Sequence, residues 1–209
     1  MAQGFDLELL KDANIYFTRQ KEMKGTGHAI YLANSFVDDS PFVVAYLDDL
    51  FICEIPLAKQ LITNYEKTQK NVLSLVQIPQ SEVSRYGIVE LEKDSGNERL
   101  LVKKMVEKPN MEDAPSDLMS AGRYLFKKNF LQEIEGLLET WNIQKELTQT
   151  HAIEKLIAKR EVVGHHVEGE RLDIGQPLDY IKAFTRFALK YSDFGEDYLK
   201  FLREAVSKK

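Results

Sequence analysis

The stretch FVVAYLDDLF, residues 42–51, decides the predicted fold, because six consecutive apolar residues run directly into two adjacent aspartates. An apolar run that carries valine and aromatic residues is typical of a strand buried on both faces, as in the centre of a parallel sheet. Ligands of open α/β sheets bind beyond the carboxyl ends of the strands, where a carboxylate can hold a metal ion and a phosphorylated ligand. Asp48 and Asp49 are therefore candidate ligand residues. The alternative is that they only begin a turn, where aspartate is common for local reasons.

The composition of the 209-residue chain is that of a globular protein, with 44% hydrophobic residues and a net charge of -5. Charges of both signs are mixed without a basic block, which argues against nucleic acid or an anionic membrane as the main partner. The single cysteine, Cys53, excludes a disulfide within the chain and favours a reducing compartment. No apolar stretch has the length of a membrane span, and Met1–Leu10 lacks the layout of a signal peptide, so we expect a cytoplasmic protein.

Strands and helices alternate on both sides of the central run. Helical spacing of apolar residues predicts a helix over 55–70, and the buried run that follows predicts a strand over 71–78. Strand, helix and strand at this spacing indicate a right-handed crossover and a parallel pair. The sequence therefore predicts one α/β domain over 1–209, with a mostly parallel mixed central sheet flanked by helices. The other predicted strands are 14–19, 86–91, 100–106, 118–126 and 161–167, and the other predicted helices are 30–33, 130–138, 150–159, the segment after Pro177, and 196–206.

A glycine pair precedes the first predicted helix. Gly25 and Gly27 allow the backbone to approach a base, ribose or phosphate closely, and a helix N-terminus favours anionic groups. Such a pair is, however, more often only a tight turn.

A charged pair ends the strand predicted over 100–106. The carboxylate of Glu107 can accept hydrogen bonds from sugar hydroxyls, and Lys108 can carry a phosphate. We expect Pro109 to keep Lys108 extended. The competing interpretation is an exposed ion pair on a surface turn.

Two later stretches are also polar. Asp173 precedes a glycine turn and a proline that can open a helix. His165 and His166 are adjacent on a predicted strand and so point to opposite faces, which argues against a paired metal site.

Together these motifs carry a resemblance that runs in order from about Asn14 to the last helix. They are Arg19-Gln20, Lys24-Gly25-Thr26-Gly27-His28-Ala29, Asp48-Asp49, Tyr86-Gly87-Ile88-Val89, Val106-Glu107-Lys108-Pro109, Ala114-Pro115-Ser116, Gly122-Arg123-Tyr124 and Asp173-Ile174-Gly175. In this order they resemble the bacterial UTP–glucose-1-phosphate uridylyltransferases. The resemblance implies a Rossmann-like nucleotide-diphospho-sugar transferase fold and the formation of UDP-glucose and pyrophosphate from UTP and glucose 1-phosphate.

The resemblance also implies roles for single residues. Asp48 and Asp173 match the family's magnesium-binding aspartates, and Lys108 matches the lysine that holds the sugar phosphate, so these three are the expected catalytic residues. Gln20 and the turn from Gly25 to Gly27 match uracil and ribose contacts, and the positions expected around the glucose are Gly87, Glu107 and Gly122. The expected ligands are Mg2+, UTP, glucose 1-phosphate and UDP-glucose. A homo-oligomer is a further expectation, because an aromatic stripe on the predicted C-terminal helices suits an interface as well as a core.

Two departures from the family stand out. No Gly-X-Gly-Thr-Arg sequence occurs in the chain, although the family's opening strand and glycine-rich loop bind the triphosphate with it. We therefore expect a domain incomplete at its N-terminus, a partial, weakly active or inactive version of the enzyme, and an open apolar edge beside the Asp48 strand. The second departure is His151, which stands where the family has an aspartate and so leaves the hydrogen bonding at that helix start open.

Two other functions fit part of the pattern. A metal-dependent UDP-sugar glycosyltransferase also places acidic residues after a strand, but it has no obvious use for a sugar-phosphate lysine such as Lys108. A non-catalytic module that binds a sugar nucleotide would keep the sugar site without turnover.

Overall fold

The computed structural model describes residues 11, 13–93, 100–141, 145–191 and 193–207. Within them, the strands are β1 (Phe42–Ala45), β2 (Asp49–Ile52), β3 (Asn71–Gln77), β4 (Gly87–Lys93), β5 (Leu100–Glu107), β6 (Leu118–Phe126), β7 (Val162–His166) and β8 (Glu170–Asp173). The helices are α1 (Thr26–Tyr31), α2 (Leu57–Thr68), α3 (Lys128–Thr140), α4 (Gln149–Ala158), α5 (Pro177–Tyr191) and α6 (Gly195–Ser207), with short 3-10 turns at Asn34–Phe36 and Gln80–Arg85.

Six of the strands form a central sheet in the order β1-β6-β3-β7-β5-β4, and β4 also touches β6 where Ile88 faces Met119. The sheet is covered on both faces, as successive residues of β3 illustrate. Val72 packs with Leu61 of α2, whereas Leu73 packs with the helices α3 and α4 on the other face. This alternation is the two-residue period of a strand, and it confirms the predicted α/β class with helices flanking a mixed sheet.

The predicted predominance of parallel strands is wrong for the described part of the chain. Only β3 and β7 are paired in parallel there, and the other pairs are antiparallel. Strand β6 lies between β1 and β3, so the crossover through α2 does not join neighbouring strands. Strands β4 and β5 form an antiparallel pair, which needs no helical crossover.

Among the residues that the structure describes, strand β1 is an edge strand, and it is only partly buried, contrary to the prediction that it is buried on both faces. Its residues alternate between half-buried and exposed, and its one described partner is the antiparallel β6. The six apolar residues 42–47 therefore do not all enter the core, and Val43 is exposed. As expected, the strand that leads to Asp48 has an open edge within the described residues. It does not lie in the centre of the sheet between parallel strands, as predicted.

Other local predictions also changed. Residues 14–19, predicted as a strand, have no regular structure, and Ile15, Tyr16 and Phe17 are exposed. Helix α1 begins at Thr26, so it contains Gly27 rather than following it. The sequence Asp94-Ser95-Gly96-Asn97, which predicts a polar turn between the strands 86–91 and 100–106, lies outside the described residues.

A second, two-stranded sheet stands beside the central one. Strands β2 and β8 pair antiparallel with Asp49 opposite Asp173, and we call this pair the ribbon. Its apolar side, Ile52 and Leu172, packs against Ala183 of α5. A two-stranded sheet is marginally stable alone, and the ribbon is supported by α5 on this side and by Phe51, which packs against the central sheet, on the other. None of the helices in the described ranges is both long and apolar enough to cross a membrane.

Candidate functional site

A cleft of about 300 Å³ opens between the ribbon and the ends of β4, β5 and β6. It brings together six of the predicted site residues, namely Asp48, Gly87, Glu107, Lys108, Gly122 and Asp173. The remaining lining residues are Tyr46, Asp49, Arg85, Tyr86, Met105, Met119, Ser120, Tyr124, Gln149 and Arg171.

The ribbon wall of the cleft is built around a buried ion pair. Asp49 is 4% exposed, and its Oδ1 accepts a hydrogen bond from Arg171 Nε at 2.5 Å. Its Oδ2 accepts the backbone N–H of Gly122 at 2.6 Å. Burial raises the pKa of Asp49, while the charge of Arg171 and the Gly122 N–H act against that rise. Asp49 thus ties the ribbon to β6 rather than facing the cleft as a free carboxylate.

Asp173 lies in the same wall and is also well bonded. Its Oδ2 accepts hydrogen bonds from the Tyr86 hydroxyl at 2.7 Å and from Arg171 at 3.3 Å, and its Oδ1 accepts the Gly175 N–H at 2.9 Å. Partial burial acts to raise the pKa of Asp173, but the hydrogen bond from Tyr86 and the other contacts outweigh it, so the pKa is lowered. Arg171 also lies over the Tyr86 ring, 4.9 Å from its centroid.

Asp48 adjoins this wall with an exposed side chain. Its backbone carbonyl accepts the N–H of Ile174 at 3.0 Å, which holds the chain around Asp48 beside the residue that follows Asp173. Both predicted metal-binding carboxylates therefore line one cleft. The described residues contain no cluster of three or more His, Cys, Asp or Glu side chains suited to holding a metal ion by themselves.

The sheet wall of the cleft carries Gly87, Glu107, Lys108 and Gly122. Glu107 stands opposite Gly87 in the β4–β5 pair, and its Oε2 accepts a hydrogen bond from Thr150 Oγ1 at 3.1 Å. A Cβ on Gly87 would lie 3.1 Å from that same Oε2 and 2.6 Å from Met105 Cε. The side chain of Glu107 is thus oriented from α4, beside a glycine where a larger residue would require the Met105 and Glu107 side chains to move.

Lys108 is not extended as predicted but has φ +46°, in the left-handed region. Its N–H donates to Tyr86 O at 3.0 Å, which continues the bonding between the two strands for one residue past the end of β5. This contact turns the chain at the cleft rim. A residue other than glycine in this conformation is strained, and such residues cluster at ligand sites.

Two hydroxyl groups at the floor of the cleft are buried. Those of Tyr46 and Ser120 make no hydrogen bond within the described residues. Burial raises the pKa of Tyr46 to about 12, so its hydroxyl stays protonated and can donate. A buried polar group without a partner costs free energy that a ligand with hydroxyl or phosphate oxygens can recover.

The predicted uracil and ribose contacts lie beside the cleft and do not line it. Gln20 Nε2 donates to Gly25 O at 3.0 Å, and Gly27 N–H donates to Leu147 O at 2.8 Å. A Cβ on Gly25 would lie 2.5 Å from Leu147 O, so this glycine is required for close backbone packing. Thr26 connects the segment to the cleft, because its Oγ1 donates to Gln149 at 2.5 Å. The ligand roles of Gln20, Gly25 and Gly27 stay predictions.

Two histidines, His151 and His165, form hydrogen bonds within the fold. Nδ1 of His151 accepts the backbone N–H of Thr148 at 3.2 Å, so the imidazole completes the capping box of α4 that a carboxylate normally forms. His165 is half-buried against α2, where Nε2 lies 3.0 Å from Gln60 Oε1.

Sequence reasoning missed Arg171, Tyr86 and Thr150 as parts of the site, and it gave Asp49 no role distinct from that of Asp48. Arg171 and Asp49 are 122 positions apart, and nothing local to either one signals the pairing. A usable signal was the sequence Arg171-Leu172-Asp173, which places two charged residues on one face of a strand.

Comparisons with known proteins identify the family of the chain. The sequence profile of the nucleotidyl transferase family matches residues 4–189. Among curated proteins, UTP–glucose-1-phosphate uridylyltransferase from Staphylococcus epidermidis is 35% identical over 92% of the chain, and a Staphylococcus saprophyticus homologue is 40% identical over 90%. The aligned regions are 66% and 63% of those two proteins, so the chain spans slightly less than two thirds of their length.

Solved structures of the same kind superimpose well. A UDP-glucose pyrophosphorylase complexed with UDP-glucose is 33% identical with a TM-score of 0.73, covering 82% of this chain and 65% of that one. An apo UDP-glucose pyrophosphorylase is 30% identical with a TM-score of 0.79, covering 91% of this chain and 72% of that one. Because the family profile covers most of the sequence and the folds agree, the chain belongs to the nucleotidyl transferase family.

Proposed function

We propose that the cleft binds UDP-glucose and that the chain carries the sugar-phosphate half of a UTP–glucose-1-phosphate uridylyltransferase site. The reaction would join the phosphate oxygen of glucose 1-phosphate to the α-phosphorus of UTP, giving UDP-glucose and releasing pyrophosphate. The observation that carries the proposal is the convergence of Asp48, Glu107, Lys108 and Asp173 on one cleft. Relatives of this name and a structure complexed with UDP-glucose support the choice of ligand.

The sheet wall would hold the sugar and its phosphate. Glu107, oriented by Thr150, would accept hydrogen bonds from sugar hydroxyls, and Lys108 would place its ammonium on the sugar phosphate. Gly87 and Gly122 would let the sugar approach the backbone. Such a transfer requires alignment and charge neutralisation rather than a nucleophilic side chain, so these residues suffice on the sugar side.

The ribbon wall fits a magnesium ion bound jointly with phosphates. Mg2+ commonly takes one or two protein carboxylates and completes its octahedron with water and phosphate oxygens. Asp48 and Asp173 are hard oxygen donors that line one cleft, and Arg171 neutralises the neighbouring Asp49. When bound, the ion would supply charge neutralisation for the phosphates. UTP is a cytoplasmic metabolite in the proposed reaction, and we propose the same location for the protein.

A calorimetric titration with UDP-glucose, with and without magnesium, tests binding. We expect magnesium-dependent binding that falls at least about 10-fold in Asp173→Asn, since one carboxylate ligand is lost. Asp117→Asn is the matched control, because Asp117 bonds Gln77 outside the cleft and should leave binding unchanged. Absence of binding to the unmodified chain, or equal losses in both variants, would refute the proposed site.

A product assay separates the candidate activities. UDP-glucose consumed only when pyrophosphate is present indicates uridylyl transfer. UDP released with glucose moved to an acceptor would indicate the alternative, a UDP-sugar glycosyltransferase. Binding without either product would favour a non-catalytic module.

A further inference from the structure

Arg85 is a cation at the rim of the cleft, and neither wall as described above uses it. It is the last residue of the 3-10 turn Gln80–Arg85, directly before Tyr86, and it lines the cleft. Its side chain is 44% exposed, whereas that of Arg171 is 13% exposed and engaged with Asp49. The guanidinium of Arg85 is therefore open to a ligand in a way that the guanidinium of Arg171 is not.

The ion pairs that Arg85 forms within the chain are long. Its nitrogens lie 3.7 Å from Glu82 Oε2 and 3.8 Å from Asp173 Oδ2, and both distances exceed that of a hydrogen bond. The guanidinium also lies over the Tyr86 ring, 5.2 Å from its centroid. A guanidinium has five N–H donors, and these long contacts engage none of them in a hydrogen bond. They leave the donors available to a stronger acceptor.

Arg85 adjoins both groups that we propose to meet the sugar phosphate. On one side its guanidinium faces Asp173, a proposed magnesium ligand. On the other side the carbonyl of the next residue, Tyr86, accepts the Lys108 N–H at 3.0 Å, so the two rim segments are in backbone contact. A phosphate that is held by Lys108 and lies close to Asp173 is therefore within reach of Arg85.

The charges of the cleft also require a second cation. Four carboxylates line the cleft against three cations, which are Arg85, Lys108 and Arg171. Arg171 is buried in its pair with Asp49, so three carboxylates stand against Arg85 and Lys108 alone. The diphosphate of UDP-glucose brings further negative charge into a site where like charges repel at short range. Without Arg85, Lys108 would be the one lining cation left to face the phosphates.

We propose that Arg85 is a further substrate-binding residue, whose guanidinium donates hydrogen bonds to the phosphate that is attached to the sugar. The inference rests on the proposed function, because it assigns one more residue to the same ligand. Arginine suits this role, since its planar fork can donate two parallel hydrogen bonds to one phosphate. In the ligand-free chain the guanidinium faces Glu82 and Asp173, and on binding it turns from these carboxylates to the phosphate.

Calorimetric titration with UDP-glucose in the presence of magnesium tests the inference. Arg85→Gln should weaken binding at least about 10-fold, because charge-assisted hydrogen bonds to a phosphate are lost. Arg85→Lys keeps the charge without the fork, so its affinity should lie between the two. The matched control is Arg160→Gln, which removes the same charge from an exposed ion pair with Glu92. Glu92 is five positions along β4 from Gly87, so this variant should keep the affinity of the unmodified chain.

A second ligand identifies the phosphate. UMP carries only the phosphate on the uridine side, so the unmodified chain and Arg85→Gln should behave alike toward it. An equal loss for UMP and UDP-glucose would place Arg85 on the nucleotide phosphate and overturn the assignment. Urea denaturation of Arg85→Gln should match the unmodified chain, because an exposed ion pair contributes little to stability.

The outcomes separate this inference from the proposed function. Unchanged UDP-glucose affinity in Arg85→Gln, together with weakened binding in Asp173→Asn, would overturn the role of Arg85 and leave the proposed function standing. A loss of the same size in Arg160→Gln would show that only net charge matters and would also overturn that role. Absence of UDP-glucose binding by the unmodified chain would overturn both.

Discussion

The two walls of the cleft are held in place by different forces. The sheet wall, with Gly87, Glu107 and Gly122, belongs to strands of the central sheet. Other residues of these strands, such as Ile88 and Phe126, are fully buried. The ribbon wall has apolar support from Phe51 and from the contact to α5, but its polar face depends on a buried ion pair and a tyrosine hydrogen bond. The stability that comes from buried apolar side chains does not depend on any single charge. A buried ion pair, in contrast, becomes strongly destabilising when one partner is removed. The difference predicts that the ribbon wall is the fragile side of the site.

Removing the arginine should have the largest effect. Arg171→Met leaves the Asp49 carboxylate buried without its cation, and we expect a loss of about 3–5 kcal/mol in the free energy of unfolding. Urea denaturation measures it. The control is Arg186→Met, which removes an exposed ion pair to Glu170 and should cost less than about 1 kcal/mol. Equal losses would mean that the ribbon is not held by its buried pair.

An added methyl group at Gly122, between the two walls, should have the second-largest effect on stability. In Gly122→Ala the added Cβ would meet Tyr46 Cβ at 2.9 Å and Asp49 Oδ2 at 3.1 Å, so we expect about 1–3 kcal/mol of destabilisation and weaker UDP-glucose binding. Gly136→Ala has nothing within 4 Å of the new Cβ and lies inside α3, so it should stabilise by about 0.5–1 kcal/mol. Thermal unfolding compares the two, and the same sign for both would contradict the close approach of the walls.

The lysine at the rim should separate stability from binding. Lys108→Gly relieves the strain of φ +46°, so we expect up to about 1 kcal/mol of added stability together with loss of sugar-phosphate binding. Gln69→Gly relieves a similar φ of 56° at the end of α2 and should add stability without changing binding. Retained UDP-glucose affinity in Lys108→Gly would remove Lys108 from the site.

Removal of the buried hydroxyl of Ser120 at the floor of the cleft should also raise stability and weaken binding, by a smaller amount. Ser120→Ala removes a polar atom that has no partner within the described residues, so the ligand-free protein should gain about 0.5–1 kcal/mol while UDP-glucose binds more weakly. Ser74→Ala is the control, because Ser74 Oγ donates to Arg123 O at 2.6 Å and its loss should destabilise. Unchanged affinity in Ser120→Ala would show that this hydroxyl does not meet the ligand.

The smallest expected effect is a change of stability with pH that arises from His165 in strand β7 of the central sheet. Burial lowers the pKa of His165, so the stability from its neutral form is present above the unfolded pKa of about 6.5 and is lost as the pH falls through the folded pKa. Thermal unfolding between pH 8 and pH 5 should show a larger decline for the unmodified chain than for His165→Gln. The exposed neighbour His166→Gln should follow the unmodified chain. Identical declines in all three would assign the pH dependence elsewhere.

The sequence predicted the elements whose pattern is local. The buried apolar run of 71–78 and the strand-like pattern of 118–126 identified β3 and β6, and helical spacing identified α2, α3 and α4. It did not reveal the ribbon, because β2 and β8 are four residues each and their pairing joins distant segments. It also misplaced β1, since an unbroken apolar run reads alike in a central strand and in an edge strand.

The candidate site divides in the same way. The resemblance selected Asp48, Glu107, Lys108 and Asp173, which line one cleft. It gave no separate role to Asp49, although that residue and not Asp48 is the buried member of the pair. Burial depends on the β2–β8 pairing and on the Gly122 N–H, neither of which a local pattern encodes.

Because the two strands of the ribbon pair in a fixed register, the number of residues in each strand is more important for the fold than the identity of most of them. Asp49 faces Asp173 because the two strands are aligned residue for residue. Inserting or deleting one residue in β2 would turn every side chain of that strand to the other face, so Leu50 would replace Asp49 against Gly122. Length changes in this ribbon should therefore be tolerated far less than substitutions, even though both strands are short and lie at the surface of the sheet.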